Sequence, residues 1–213
     1  MMFKTDIAND ALAKLGVSNS FITTDVNTDN SQQAKIIRRQ YKTAFETVLR
    51  KHEWKFATNY SAMTLLETSS SYALMGYKFK YQAPPDCFVI REIAEDGIFP
   101  LVNLYEIQKN KFEQIYTNST TLRIVCNVED AWARYTVAVP ETNGVPEYFG
   151  RAVAAQLAMD IAPMLITNNF PKIRNSLAAD IQMELTEAMA QDEGNQPQRD
   201  DAPSPLLMSR FQS

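Results

Sequence analysis

The period of the hydrophobic residues changes twice along this chain, and that change constrains its fold more than any other feature. Near the N-terminus apolar residues recur at helical spacing. Ile7, Ala11, Leu12 and Leu15 do so in TDIANDALAKLG, and Ala34, Ile37, Tyr41, Phe45, Val48 and Leu49 do so in a longer run from 30 to 52. Residues three and four apart share one face of a helix, so each run predicts an amphipathic helix with one buried stripe. After Phe56 the pattern shortens. YSAMTLLE, YKFKYQAP, CFVIREIAE, GIFPLV, TLRIVCNV and ARYTVAVP are rich in aromatic and β-branched residues, and YKFKY at 77–81 alternates strictly. These are strand signals. Helical spacing then returns through Phe149, Val153, Leu157 and Ile161, and again from 171 to 191 through Ile173, Leu177, Ile181, Leu185 and Met189.

Punctuation supports the same division. Thr5 or Asp6 is expected to cap the first helix and Gly16 to end it; Asn30 or Ser31 is expected to cap the second. Between them VSNSFITTDVNTDNS reads as a loop anchored by Phe21 and Ile22. Pro146 sits at an N1-like place, where proline is best tolerated, and Pro163 is expected to kink or end the third helix. NLYEIQKNKFEQIY, 103–116, is expected to form a short helix within the sheet region. The fold class that follows is α+β: a four-helix bundle with a small, mostly antiparallel β domain inserted between helices two and three, plus an extended C-terminal arm. The expected boundaries are 1–56 with 141–191 for the helical domain, 57–140 for the β-rich domain, and 192–213 for the arm. The arm is rich in Pro, Gln and Asp, lacks periodicity, and ends in the apolar run PLLMSRF. Such a composition suits a segment that orders only on docking.

A chain of 213 residues is long enough to bury a core without a metal or disulfide staple. Its formal charge of −4 argues against a general nucleic-acid or anionic-membrane binder. The two cysteines, Cys87 and Cys126, lie in strand-like runs without CxxC spacing and read as reduced, buried thiols. The N-terminal MMFKTDIAND has no secretory pattern, and no stretch approaches the roughly 18 apolar residues of a membrane span. A soluble protein made in a cytosol is therefore expected. His52, the only histidine, sits at a predicted helix C-terminus, where a cation is favoured by the helix dipole. It has no evident nucleophile beside it and too few companions for zinc. Neither GxGxxG nor GxxxxGK[ST] occurs, so no nucleotide cofactor is expected. Glu95–Asp96 and Glu129–Asp130 are acid pairs at turn-like edges. A hydrolase built on them is the weakest of three functional readings.

Two features of the second helix carry more. Lys35, Arg39 and Lys42 share a face at i, i+4 and i+7, with Arg38 beside them. Such a face contacts phosphates, a neighbouring subunit or solvent. No aromatic ladder of the kind that stacks single-stranded bases accompanies it. The helix then runs into KHEWKFA, where Trp54 and Phe56 flank Lys55. At that spacing two side chains point apart in a helix and together in an extended chain. The chain is thus expected to leave the helix here in extended form, with both aromatics buried at the junction of the helical and β domains.

Four segments, in order, resemble the tail tubular protein A family, the head-to-tail adaptors of short-tailed bacteriophages, and more loosely the head-completion connectors of long-tailed phages. ANDALAKLGVSNSFITT is similar to the family's N-terminal helix and loop. QQAKIIRRQYKTAFETVLRKHEWKFA is similar to its long helix ending in W-x-F-A. YKFKYQAPPDCFVIREI is similar to its strand pair, and VPEYFGRAVAAQLAMDIA to its later "P–F–A–A–LA" helix. The resemblance implies a structural virion protein without enzymatic activity, cofactor or metal, located at the portal vertex and tail neck. Twelve copies would form a ring between the portal protein and the tail nozzle, continuing the channel through which genomic DNA leaves. It implies interface roles for Lys35, Arg38, Arg39 and Lys42, and for Pro205, Leu206, Leu207, Met208 and Phe211 of the arm, with Trp54 and Phe56 at the domain junction. The alternatives are another ring of the neck or tail, and a nucleic-acid-binding protein using the basic face.

Overall fold

The structure is a computed structural model that describes residues 1–17, 21–68, 76–97, 99, 110–117, 121–166 and 170–194. Its class is α+β. Four helices, α1 (Lys4–Lys14), α2 (Gln32–Lys51), α3 (Glu147–Leu165) and α4 (Phe170–Gly194), bracket seven described strands, all of which lie between α2 and α3 in sequence. The chain divides into two compact units, Met1–Val48 with Gly144–Ser213, and Leu49–Asn143. The division falls inside the last turns of α2, earlier than the composition shift after Phe56.

In the helical unit, α1 ends as Gly16 predicts. Gly16 takes φ +70°, its N–H donates to Ala13 O at 2.9 Å, and Val17 N–H donates to Leu12 O at 3.1 Å. This is the paired carbonyl closure that a left-handed C′ glycine permits. The N-terminus differs from expectation. The helix begins at Lys4, its cap is Phe3, and the Asp6 carboxylate reaches back to accept the Phe3 N–H at 2.9 Å. Thr5 lies inside the helix, and its hydroxyl accepts the N–H of Val26 in the following loop at 3.2 Å. Asn9 clasps Ile22 from both sides, donating to its carbonyl at 3.0 Å and accepting its N–H at 2.9 Å. Ile22 is thereby the buried anchor of the loop, while Phe21 stays exposed.

Ser31 caps α2, its Oγ accepting Ala34 N–H at 3.2 Å. The stripe Ala34, Ile37, Tyr41, Phe45 and Val48 is buried, and Phe45 meets Phe149 of α3 edge to face at 5.2 Å. Pro146 is the cap just outside α3 rather than its first residue, and Pro163 falls in the last turn, two residues before the helix ends. The buried alanines 152, 154, 155 and 158 leave α3 thin enough for α1 and α4 to pack on it. Lys14 of α1 reaches Glu184 of α4 at 2.6 Å. α4 runs on to Gly194, so the first residues assigned to the arm are helical.

The strand unit holds two antiparallel sheets. One has the order β1 (Thr58–Ala62), β7 (Ala131–Val137), β4 (Cys87–Glu95); the other has β2 (Thr64–Thr68), β3 (Phe79–Gln82), β6 (Thr121–Cys126), β5 (Phe112–Thr117). YSAMTLLE is therefore not one strand. It changes sheets at Met63, whose buried side chain joins the core and whose N–H donates to Ala131 O. Period two does the rest: Ala131, Ala133 and Tyr135 enter the core, while Trp132 and Arg134 face away. Tyr81, Ile90, Ile93, Ile124 and Cys126 complete a core drawn from both sheets. The helix expected over 103–116 is corrected by β5. Phe112 pairs with Cys126 and packs on the core, an arrangement an isolated helical turn cannot offer. Residues 103–109 lie outside the described residues.

Phe149 is 0% exposed and is the α3 side of the contact with α2. Phe149→Ala is expected to destabilise the protein by about 3–5 kcal/mol, read as a lower urea midpoint.

Candidate functional site

The basic face of α2 divides into a structural part and a free part. Arg38 belongs to the first. Its Nη1 donates to the carbonyls of Val26 at 2.6 Å, Asn27 at 3.3 Å and Asp29 at 2.7 Å, so the guanidinium is spent closing the loop before α2. Asp29 caps the same turn, and its hydrogen bonds from Ser31 hold its carboxyl below the usual range. Lys35, Arg39 and Lys42 are exposed along one stripe. Among the described residues the only ion pair on this stripe is Lys42 to Glu46 at 3.9 Å, an exposed i,i+4 contact of little energetic weight.

At its other end α2 stops at Lys51. Trp54 is extended, at φ −66° and ψ 124°, and Lys55–Ala57 then form one 3₁₀ turn before β1 begins. The expected extended passage is thus confined to Trp54. Trp54 is fully buried, whereas Phe56 is only half-buried, its ring 6.5 Å from that of Trp54. His52 lies edge-on to Trp54 at 4.9 Å. The three belong to the strand unit.

The residue that secures this exit is Arg91, which sequence inspection did not single out. It is the extra residue of a bulge in β4, between Ile90 and Glu92. Its guanidinium donates to Leu49 O at 3.1 Å, Arg50 O at 3.2 Å and His52 O at 2.8 Å, and its Nε donates to Thr136 Oγ1 at 2.8 Å. The last carbonyls of a helix have no partner within it, and a fork of N–H donors answers two of them, on Leu49 and Arg50, together with that of His52 just beyond. Burial pulls the Arg91 pKa below the ordinary guanidinium value, with nearby Glu53 acting in the opposite sense. Beside it Arg134 bridges Glu92 at 2.7 Å and Glu53 at 3.0 Å. The Glu53 contact lies off the Nε–H axis and is an ion pair rather than a hydrogen bond. Arg50 covers the ring of Phe88 at 4.2 Å.

Cys87 and Cys126 are both free thiols. Burial, reinforced by Asp86, pushes Cys87 up to about 12, and burial also raises Cys126. The acid pairs are brought together: Asp96 and Asp130 both take left-handed backbone at φ 52° and 50°, and Asp96 N–H donates to Asp130 O at 3.4 Å. All four acids are exposed, Glu95 at the end of β4 and the others in the turns beside it, and among the described residues no group of His, Cys, Asp and Glu is arranged to hold a metal. Nearby, Tyr60 meets Phe99 edge to face at 5.2 Å.

The helical unit also carries an open cleft of about 180 Å³ between α3 and α4, beside Glu147, Arg151, Glu184 and Glu187. Arg151 pairs with Glu147 at 2.6 Å. On α1, Asp10 is half-buried next to this cluster, and burial raises its pKa despite the pull of Lys14. The cleft joins residues far apart in sequence, so only their helical spacing hinted at it. Pro205, Leu206, Leu207, Met208 and Phe211 lie outside the described residues. No described helix is long and apolar enough to cross a membrane. No family model matches this chain, and no curated protein matches it.

Arg91→Ala is expected to cost about 1.5–3 kcal/mol in urea unfolding, because it removes charge-assisted hydrogen bonds to the end of α2, two of them part-buried. Arg91→Lys keeps the charge without the fork and should recover only part of that loss. The Cys87 thiol supplies a pH test. Its pKa rises from 9.0 in the open chain to about 12 in the fold. The unfolded chain therefore loses its proton first as pH rises, so this contribution to stability is complete below pH 9 and falls away between 9 and 12. Alkylation of Cys87 at pH 9 should be slow in the folded protein and fast in urea.

Proposed function

We propose that this protein is a structural component of a bacteriophage virion, a head-to-tail adaptor. It binds the portal ring, forms a ring beneath it, and continues the DNA channel toward the tail nozzle. In this reading the four helices act as one bundle, with the strands as an inserted domain. The observation that supports it most is where the resembling segments fall in the fold. The LG of the first is the glycine closure of α1, and the Trp of W-x-F-A is the buried Trp54 at the exit of α2. Tyr81 of the third segment is buried in the strand core, and its Asp86 accepts the Tyr135 hydroxyl at 2.9 Å. Phe149 of the fourth is the buried contact of α3 with α2. The resemblance thus rests on positions that set the architecture of both units.

A second reading, nucleic-acid binding, keeps some support from the exposed Lys35, Arg39 and Lys42. It loses Arg38 to the loop carbonyls. Light scattering behind size exclusion separates the two readings. The adaptor reading expects a monomer alone and a stoichiometric ring when the portal ring of the same phage is added. A chain that never joins the portal overturns it. Retention on duplex DNA at low salt, falling steeply as salt rises, would favour the second reading instead.

A further inference from the structure

We infer that neighbouring copies of this chain join head to tail through the helical unit, the basic stripe of α2 on one copy seating in the acidic cleft between α3 and α4 of the next. This rests on the ring reading above and names the contact that closes it. The two surfaces are opposite in sign. Lys35, Arg39 and Lys42 stand exposed on one. Glu147, Glu184 and Glu187 line the other, where they outnumber the two cations that pair with them, Arg151 on Glu147 and Lys14 on Glu184.

They also lie on opposite sides of α3. Phe149 faces α2, as its ring contact with Phe45 shows, while Glu147 and Arg151 are each two residues from it. Two residues turn a helix by about 200°. One copy therefore cannot satisfy its own two surfaces, and a second copy can; a reciprocal dyad pairing would stop at two copies, which the ring reading excludes. A head-to-tail contact continues from copy to copy, and such contacts close into rings when the rotation permits. The lengths agree as well. Lys35 to Lys42 spans seven residues, as does the α4 lining from Glu184 to Gln191, and each covers about 10 Å of helix. A nucleic acid would use the stripe but be repelled by the cleft, whereas a second copy uses both.

Exposed ion pairs are individually weak and salt-screened, so this contact is insufficient between free monomers and becomes effective when a portal holds copies side by side. Two charge-reversed proteins test it. The first, K35E/R39E/K42E, presents an acidic stripe to an acidic cleft. The second, E147K/E187K, presents a basic stripe to a basic cleft and leaves Glu184 on Lys14. All five positions are exposed, and thermal melting checks that each variant folds. Each alone is expected to reduce ring occupancy on the portal about tenfold or more, because like charges then face each other. An equal mixture should restore rings of alternating copies. A carbodiimide cross-link between α2 and α3 or α4 peptides in the wild-type ring gives the same answer without substitution.

If wild-type rings form and K35E/R39E/K42E forms them equally well, the inference is overturned and the adaptor reading stands. Failure of the mixture to restore rings, or absence of the cross-link from wild-type rings, also overturns it. If wild-type never joins the portal, both fail together.

Discussion

The end of α2 is the point on which the strand unit depends. The last carbonyls of a helix have no partner within it, and such groups are costly when they are drawn away from water unpaired. Here one guanidinium from a bulge in β4 answers those of Leu49 and Arg50 and that of His52 just past the helix, and ties the same turn to β7 through Thr136. The bulge is what makes this possible, since an extra residue leaves the ladder and turns its side chain toward the helix end. Arg134 then neutralises the two carboxylates that stand closest, Glu53 and Glu92. Trp54 can be fully buried immediately after the helix because its neighbours are already fixed in place.

The same accounting sorts the cations of α2. A basic helix invites a phosphate-binding interpretation, but position along the helix matters more than sign. Arg38 closes the preceding loop and Arg50 lies on Phe88, so both are committed within the fold. The stripe of Lys35, Arg39 and Lys42 stays exposed along the helix. A surface of three exposed cations, of which Lys42 has only the loose contact with Glu46, favours a contact that is repeated and templated over one that must hold by itself.

Much of this was legible in the sequence, and the misses share a cause. Periodicity located all four helices and most strands, because burial of one face is a local property written every two or four residues. Gly16 and Ser31 marked their helix ends for equally local reasons. The errors came where a distant segment decides. Residues 112–117 have enough polar character to suit a helix, but Cys126 and its strand are waiting to pair with them. Trp54 and Phe56 do not follow one extended path, since a 3₁₀ turn is needed to bring the chain into β1. Arg91 and the Glu184–Lys14 contact were invisible because each depends on partners many residues away.

That asymmetry bears on how the resemblance should be weighed. Its segments carry glycines, prolines and aromatics that fix backbone direction and fill cores, and these are the residues a fold retains when its surface changes. The surfaces through which a ring protein meets its neighbours are charged and exposed, as Lys35, Arg39, Lys42, Glu147 and Glu187 are. Such contacts tolerate exchange of sign, provided both sides change together. Matching segments therefore speak to architecture, while a ring contact of the kind inferred above would be specified by the relation between two faces of the same chain. Complementation between charge-reversed copies probes that relation directly, since it leaves every buried position untouched.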